Sequence, residues 1–126
     1  MSSFLAIDFE TANNAADSAC AIGLVRVENG KIAREKALLI RPPSPEFYFT
    51  HIHGMTWEDV AEAPDFGSLW PEIEPWLQGV DFLAAHNSGF DSRVLKNCCQ
   101  RYSLELPQTV FICTVQLARR MWDVRP

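Results

Sequence analysis

Hydrophobic residues form a short run near the start of the chain, and the run ends in charged residues. The stretch Phe4–Asn13 reads FLAIDFETAN. Successive side chains of a strand point to opposite faces, so Ile7 and Phe9 share one face. Asp8 and Glu10 project side by side from the other face. The pattern predicts a buried strand with two neighbouring carboxylates near its end.

The next two apolar segments predict a β-hairpin. Ala21–Glu28 and Lys31–Ile40 are separated by Asn29-Gly30, a dipeptide that tolerates the positive φ angles of a type I′ turn. Prolines in the segment 41–45 end the third strand, because proline cannot donate to a sheet ladder. The first three strands are therefore predicted to form an antiparallel meander.

The second half of the chain alternates between helical and strand patterns. Apolar positions recur at helical spacing over residues 65–79, where Pro71 and Pro75 predict a kinked or interrupted helix. The continuous apolar run Phe82–Ala85 predicts a central strand covered on both faces. A helix is predicted after it, then a fifth strand over Val110–Cys113, and a last helix opened by Thr114.

These elements predict one α/β domain over residues 1–126. It contains a five-stranded mixed sheet, an antiparallel meander followed by parallel strands, with flanking helices. The chain is 48% hydrophobic and 21% charged, which is typical of a globular domain. No secretory leader or membrane-spanning stretch is visible, so a cytoplasmic protein without a membrane partner is expected. Four cysteines without metal-binding spacing are interpreted as reduced thiols in or near the core: Cys20, Cys98, Cys99 and Cys113.

Carboxylates in apolar surroundings are the first candidate chemistry. Asp8 and Glu10 would repel each other unless a cation or a proton lay between them. Oxygen ligands favour Mg²⁺ or Mn²⁺ over zinc. Asp91 follows the central strand and would complete a metal cluster, because strand ends at one sheet edge assemble sites. The alternatives are a solvated strand end and, for Asp91, an ordinary helix N-cap.

An aromatic segment, residues 47–56, is the second candidate site. Its two histidines, His51 and His53, could be metal ligands on a strand, but no convergent set of further ligands is visible. Ile52 and His53 suit a wall for a base or sugar better. The net charge of −5 excludes a broad basic surface for long nucleic acid, so such a substrate would be held locally.

The order of three motifs resembles the DEDDh group of 3′–5′ exonucleases, which have a ribonuclease H-like fold. The group includes the proofreading epsilon subunit of bacterial DNA polymerase III and ribonuclease T. DFETAN resembles its first motif, IHG at Ile52–Gly54 its base-packing segment, and HNSGFD its second motif. Jointly, in this order, the motifs are specific, and they span nearly the whole chain.

The resemblance implies a metal-dependent 3′–5′ exonuclease acting on single-stranded DNA or RNA ends. A complete site would hold two divalent ions about 4 Å apart, which activate water and stabilise the leaving 3′ oxygen. Asp8, Glu10 and Asp91 are implied as catalytic residues and metal ligands, with Asp8 bridging both ions. The implied substrate-binding residues are Thr11, Ile52, His53, Asn87 and Phe90. A DNA polymerase is an implied partner.

One family feature is absent from the sequence. The third motif, a histidine followed five residues later by an aspartate, would come after Trp122, and it is not present. The chain is therefore expected to be a C-terminally truncated form that binds one ion weakly, has little or no activity and tends to self-associate. Two other functions stay open: a non-catalytic nucleotide-binding or interaction module, and an endonuclease or structural protein on the same scaffold.

Overall fold

A computed structural model describes residues 3–86 and 88–113. The strands are β1 (Ser3–Thr11), β2 (Ala19–Glu28), β3 (Lys31–Leu39), β4 (Phe82–Ala85) and β5 (Phe111–Cys113). The helices are α1 (Thr50–His53), α2 (Trp57–Val60), α3 (Phe66–Leu77) and α4 (Ser88–Arg101). The predicted helix after Thr114 lies outside the described residues. No helix within the described ranges has the length and apolarity needed to cross a membrane.

The five strands form one mixed sheet in the order β3-β2-β1-β4-β5. β1 pairs antiparallel with β2 and parallel with β4, and β5 extends the sheet parallel to β4. The β2–β3 turn uses Asn29 and Gly30 at φ 55° and 78°, which confirms the predicted hairpin. The predicted α/β class and strand arrangement are thus confirmed, with β1 at the centre of the sheet.

The core lies between one face of the sheet and the helices α3 and α4. Leu5, Ile7 and Phe9 supply the β1 side of the core, as the alternation predicts. Trp70 and Trp76 are 7% and 5% exposed, so both belong to the packed face of α3. Apolar residues of α4 are buried in the same cluster, and their burial fixes α4 against β1 and sets the position of the start of α4.

Several details differ from the sequence prediction, including the ends of β3 and β5, which are each one residue shorter than predicted. β2 begins at Ala19, two residues early, because the end of β1 pairs with it through an irregular step between Glu10 and Thr11. Helix α3 is continuous, without the predicted interruption, and its exposed prolines lie within it. The Asp65 side chain accepts a hydrogen bond from the Ser68 amide and caps its start. The aromatic loop contains the short helix α1.

Gly67 of α3 is in close contact with Tyr102, the residue that follows α4. A Cβ atom added there would lie 2.9 Å from Tyr102 Cδ1 and 3.2 Å from Tyr102 Cβ. We therefore expect Gly67→Ala to destabilise the chain by about 1–3 kcal/mol through overpacking, although alanine is the better helix former. Urea unfolding measures the effect. The double variant Gly67→Ala/Tyr102→Leu should recover part of the loss; equal or greater stability of Gly67→Ala alone would contradict this account.

Candidate active site

The end of β1 and the start of α4 meet at one edge of the sheet. Asp91 lies in the first turn of α4 and is only 3% exposed. Its Oδ1 accepts a hydrogen bond of 2.9 Å from the backbone amide of Phe9, between Asp8 and Glu10 in sequence. The structure therefore places the third predicted carboxylate directly against the strand segment that carries the other two.

Negatively charged carboxylates are crowded at this edge of the sheet. Burial raises the pKa of Asp91 to about 6, and the charges of Asp8 and Glu10 push it in the same direction. The amide of Phe9 and the nearby His86 act against this rise in pKa. A cation bound at this edge would relieve the repulsion that these carboxylates exert on one another.

The chemistry of the donors fits a hard divalent ion, because every candidate ligand is a carboxylate oxygen. Within residues 3–86 and 88–113, however, no three His, Cys, Asp or Glu side chains are gathered closely enough to hold an ion. Asp8 is exposed, whereas one oxygen of the buried Asp91 is used by the Phe9 amide. The assignment of Asp8, Glu10 and Asp91 as metal ligands stays a prediction.

His53 has a structural role at the same edge. Its Nδ1 accepts a hydrogen bond from the Met55 amide, at 3.0 Å. That bond assigns the proton to Nε2, which lies 3.0 Å from the Thr11 carbonyl oxygen and donates to it. Gly54, at φ 78°, ends α1 and lets the chain turn back for these contacts. With both ring nitrogens engaged, His53 ties α1 to the end of β1.

The cysteines behave as buried thiols. Cys20, Cys98 and Cys99 are free and buried, as predicted, and the side chain of Cys113 lies outside the described part of the structure. Burial, followed by the charge of Glu10, raises the pKa of Cys20 to about 11. Burial is also the first cause that raises the pKa of Cys98 and of Cys99 to about 12. These thiols stay protonated at neutral pH, so they are poor nucleophiles and poor metal ligands.

A cleft of about 230 Å³ opens where the end of β1 meets the first turns of α4, and none of the three carboxylates is among its described lining residues. Thr11 and Phe90, two of the predicted substrate-binding residues, line it together. Ile52 is 69% exposed, and neither it nor His53 is among the described residues that line this cleft. Asn87 lies outside the described residues. The structure thus joins two of the predicted binding residues and turns Ile52 toward solvent on the short helix α1.

Several residues at this site were missed by the sequence reasoning. Phe49 and Arg93 line the cleft, and His86 lines a second cavity of about 550 Å³ together with Asp8. Asn13 is buried and holds the loop after β1, because its side chain donates to the Glu46 carbonyl and accepts from the Ala15 amide. The Asn-Asn-Ala sequence, typical of an Asx turn, was the signal that could have revealed it.

Comparison with known proteins identifies this architecture as that of a nuclease domain. The ribonuclease T family model, described as exonuclease, matches residues 5–125. The chain belongs to this exonuclease family, and its predicted resemblance to DEDDh enzymes and its class as a phosphodiester hydrolase are confirmed at the level of the family. Exodeoxyribonuclease 10 of Escherichia coli (strain K12) is 37% identical over 103 residues, 80% of this chain and 40% of that protein.

Solved structures agree with the fold. Exonuclease X in complex with 5′ overhanging duplex DNA is 31% identical, with a TM-score of 0.69, covering 96% of this chain and 65% of that one. The nuclease domain of 3′hExo, a DEDDh family member bound to rAMP, has a TM-score of 0.78 at 18% identity, covering 97% and 71% of the two chains. The chain spans 40% or less of the length of the first curated relatives it matches.

Proposed function

We propose that this chain is the nuclease domain of a metal-dependent 3′–5′ exonuclease. The observation that carries the proposal is the buried Asp91 carboxylate, which is hydrogen-bonded to the β1 backbone between Asp8 and Glu10. A buried acid surrounded by two further carboxylates is costly in an apoprotein, and sites of this kind are found where a bound cation offsets the cost.

In this proposal each group has a distinct task. Asp8, Glu10 and Asp91 would hold Mg²⁺ or Mn²⁺, and the ion would supply the Lewis acidity that activates water and stabilises the departing 3′ oxygen. The amide of Phe9 orients Asp91 within the cluster. Thr11 and Phe90 receive the terminal nucleotide in the adjacent cleft. The acidic remainder of the chain limits binding to the few nucleotides that reach this edge.

We propose DNA as the substrate. The relative of 37% identity is an exodeoxyribonuclease, and the structure of 31% identity contains duplex DNA with an overhang, which supports this choice. A DNA polymerase as partner, a homo-oligomer and a cytoplasmic location stay predictions.

The test is product analysis on oligonucleotides labelled at the 3′ end, with DNA and RNA of the same sequence. Stepwise release of mononucleotides that needs Mg²⁺ or Mn²⁺, stops with EDTA and is lost in Asp8→Ala would support the proposal. Internal cuts would indicate an endonuclease instead. Metal and nucleotide binding without any cleavage at high protein concentration would indicate a non-catalytic binding module, and activity undiminished in Asp8→Ala would reveal a contaminating nuclease.

Phe90→Ala is expected to weaken binding of a nucleoside monophosphate in the presence of Mn²⁺. Stacking of one base on an aromatic side chain contributes roughly 1–3 kcal/mol, so the dissociation constant should rise about 5- to 150-fold. Calorimetric titration measures it. Phe90→Leu, which keeps an apolar side chain without the ring, separates stacking from loss of packing. Unchanged affinity in both variants would remove this cleft as the nucleotide site.

A further inference from the structure

Arg93 adds a positive charge to the cleft that Thr11 and Phe90 line. It lies three residues after Phe90 on α4, and residues at that spacing share one face of a helix. Both residues line the cleft, together with Phe49, Thr11 and Asn13. Arg93 is exposed, so its guanidinium is accessible from solvent. The cleft thus combines aromatic rings, a hydroxyl and an amide with one cation.

Among the residues that the structure describes, Arg93 has no charged or aromatic partner of the kind that engages most of the other cations. No ion pair and no hydrogen bond of its side chain is found within residues 3–86 and 88–113. Asp91 is two positions away, a spacing at which helical side chains do not face each other. Other cations are engaged: Arg26, Lys36, Arg41 and Arg101 in ion pairs, and Arg34 over the ring of Trp76.

The volume of the cleft limits which part of a ligand can enter it. Its volume of about 230 Å³ is below the about 300–1,000 Å³ of sites for drug-sized molecules. It therefore has room for a group of the size of one nucleobase and not for an oligonucleotide. A strand whose last base enters the cleft must leave across its rim. Its phosphates then pass a solvent-accessible guanidinium on a protein whose net charge of −5 offers them little other attraction.

We propose that Arg93 binds a backbone phosphodiester of the single strand whose terminal base occupies this cleft. The inference rests on the function proposed above and adds a substrate-binding residue to it. A guanidinium presents donors in a planar fork that matches two phosphate oxygens, so the contact is strong for a single side chain. Because it involves phosphate, the contact contributes affinity without preference for base sequence.

The test compares Arg93→Ala with the native chain in binding a short oligothymidylate made nuclease-resistant by phosphorothioate linkages. Anisotropy titrations with Mg²⁺ at several salt concentrations should show about tenfold weaker binding. The slope of log K against log salt should become shallower by about 0.7, the value for one phosphate contact on a single strand. Arg93→Lys should keep most of the slope.

Lys96 provides the matched control. It is an exposed cation on the same helix, has no ion pair with a described residue, and is not among the described residues that line the cleft. Lys96→Ala removes the same charge and should change affinity less than about twofold. Thermal unfolding of both alanine variants should match that of the native chain, because neither side chain is buried.

The outcomes separate the two proposals. If the native chain binds the oligonucleotide and Arg93→Ala behaves like Lys96→Ala, the role of Arg93 is refuted while the exonuclease proposal stands. A loss that depends on the terminal base and leaves the salt slope unchanged would refute the phosphate contact in favour of a base contact. If the native chain binds no oligonucleotide at all, the exonuclease proposal itself fails.

Discussion

Asp91→Asn should make the chain more stable than the native one at pH 7.5, and equally stable below about pH 3.8. Burial raises the pKa of Asp91 from 3.8 to about 6 in the folded chain. The folded chain therefore holds this proton more tightly than the unfolded chain, and native stability falls as pH rises from about 4 to about 6. At about 1.4 kcal/mol per pKa unit, the free energy of unfolding of Asp91→Asn should exceed that of the native chain by about 3 kcal/mol above pH 6.

Asparagine is a suitable replacement because its Oδ1 can still accept the hydrogen bond from the Phe9 amide. Divalent metal should stabilise the native chain at pH 7.5 and should stabilise Asp91→Asn much less, because the variant has lost a carboxylate. Chemical denaturation at several pH values, with Mg²⁺ and with EDTA, measures both effects.

Asp81 offers a control of matched geometry. Its Oδ2 accepts a 2.8 Å hydrogen bond from the Ser3 amide, at the opposite end of β1, but its side chain is exposed. Asp81→Asn should therefore show no comparable gain between pH 4 and pH 6. If Asp91→Asn were less stable than the native chain throughout this range, the ionised Asp91 carboxylate would not destabilise the folded chain, and this prediction would be wrong.

The second large effect concerns the rate at which terminal nucleotides are released. We expect the 126-residue chain to bind Mn²⁺ but to release terminal nucleotides slowly, because the sequence contains no histidine in the place of the DEDDh third motif. A positioned general base contributes about 10²–10⁴-fold to such a reaction. Imidazole added to the buffer should supply that base in part and raise the rate of release. Calorimetry measures the binding of Mn²⁺, and single-turnover assays measure the rate of nucleotide release.

Two variants define what this second result means. Asp8→Ala should abolish release with or without imidazole, since without this proposed metal ligand no bound ion would activate the water that imidazole deprotonates. His86→Gln tests the one described histidine that lines a cavity with Asp8. Fast release without imidazole that disappears in Asp8→Ala would show that the third motif is dispensable; its loss in His86→Gln as well would identify His86 as the residue that replaces it.

The family and the order of elements were predictable because they depend on local chemistry. The alternation through Ile7 and Phe9 encodes a strand with one buried face, and Asn29-Gly30 encodes a tight turn, whatever surrounds them. The continuity of α3 was not predictable. Its prolines are exposed, and the Asp65 cap and the buried tryptophans hold the helix together at positions that propensity rules treat as breaks.

The sequence by itself determined which chemistry this protein carries: two carboxylates near the end of a buried strand and a third at the start of a helix. Only the tertiary structure decided how they are used. Parallel pairing of β1 with β4 carries α4 to the end of β1, where the Phe9 amide fixes Asp91 in a buried position. The same packing brings Phe90 and Arg93 together with Thr11 around the cleft. These contacts join residues about 80 positions apart, and no local pattern specifies contacts at that separation, because they depend on packing of the whole core.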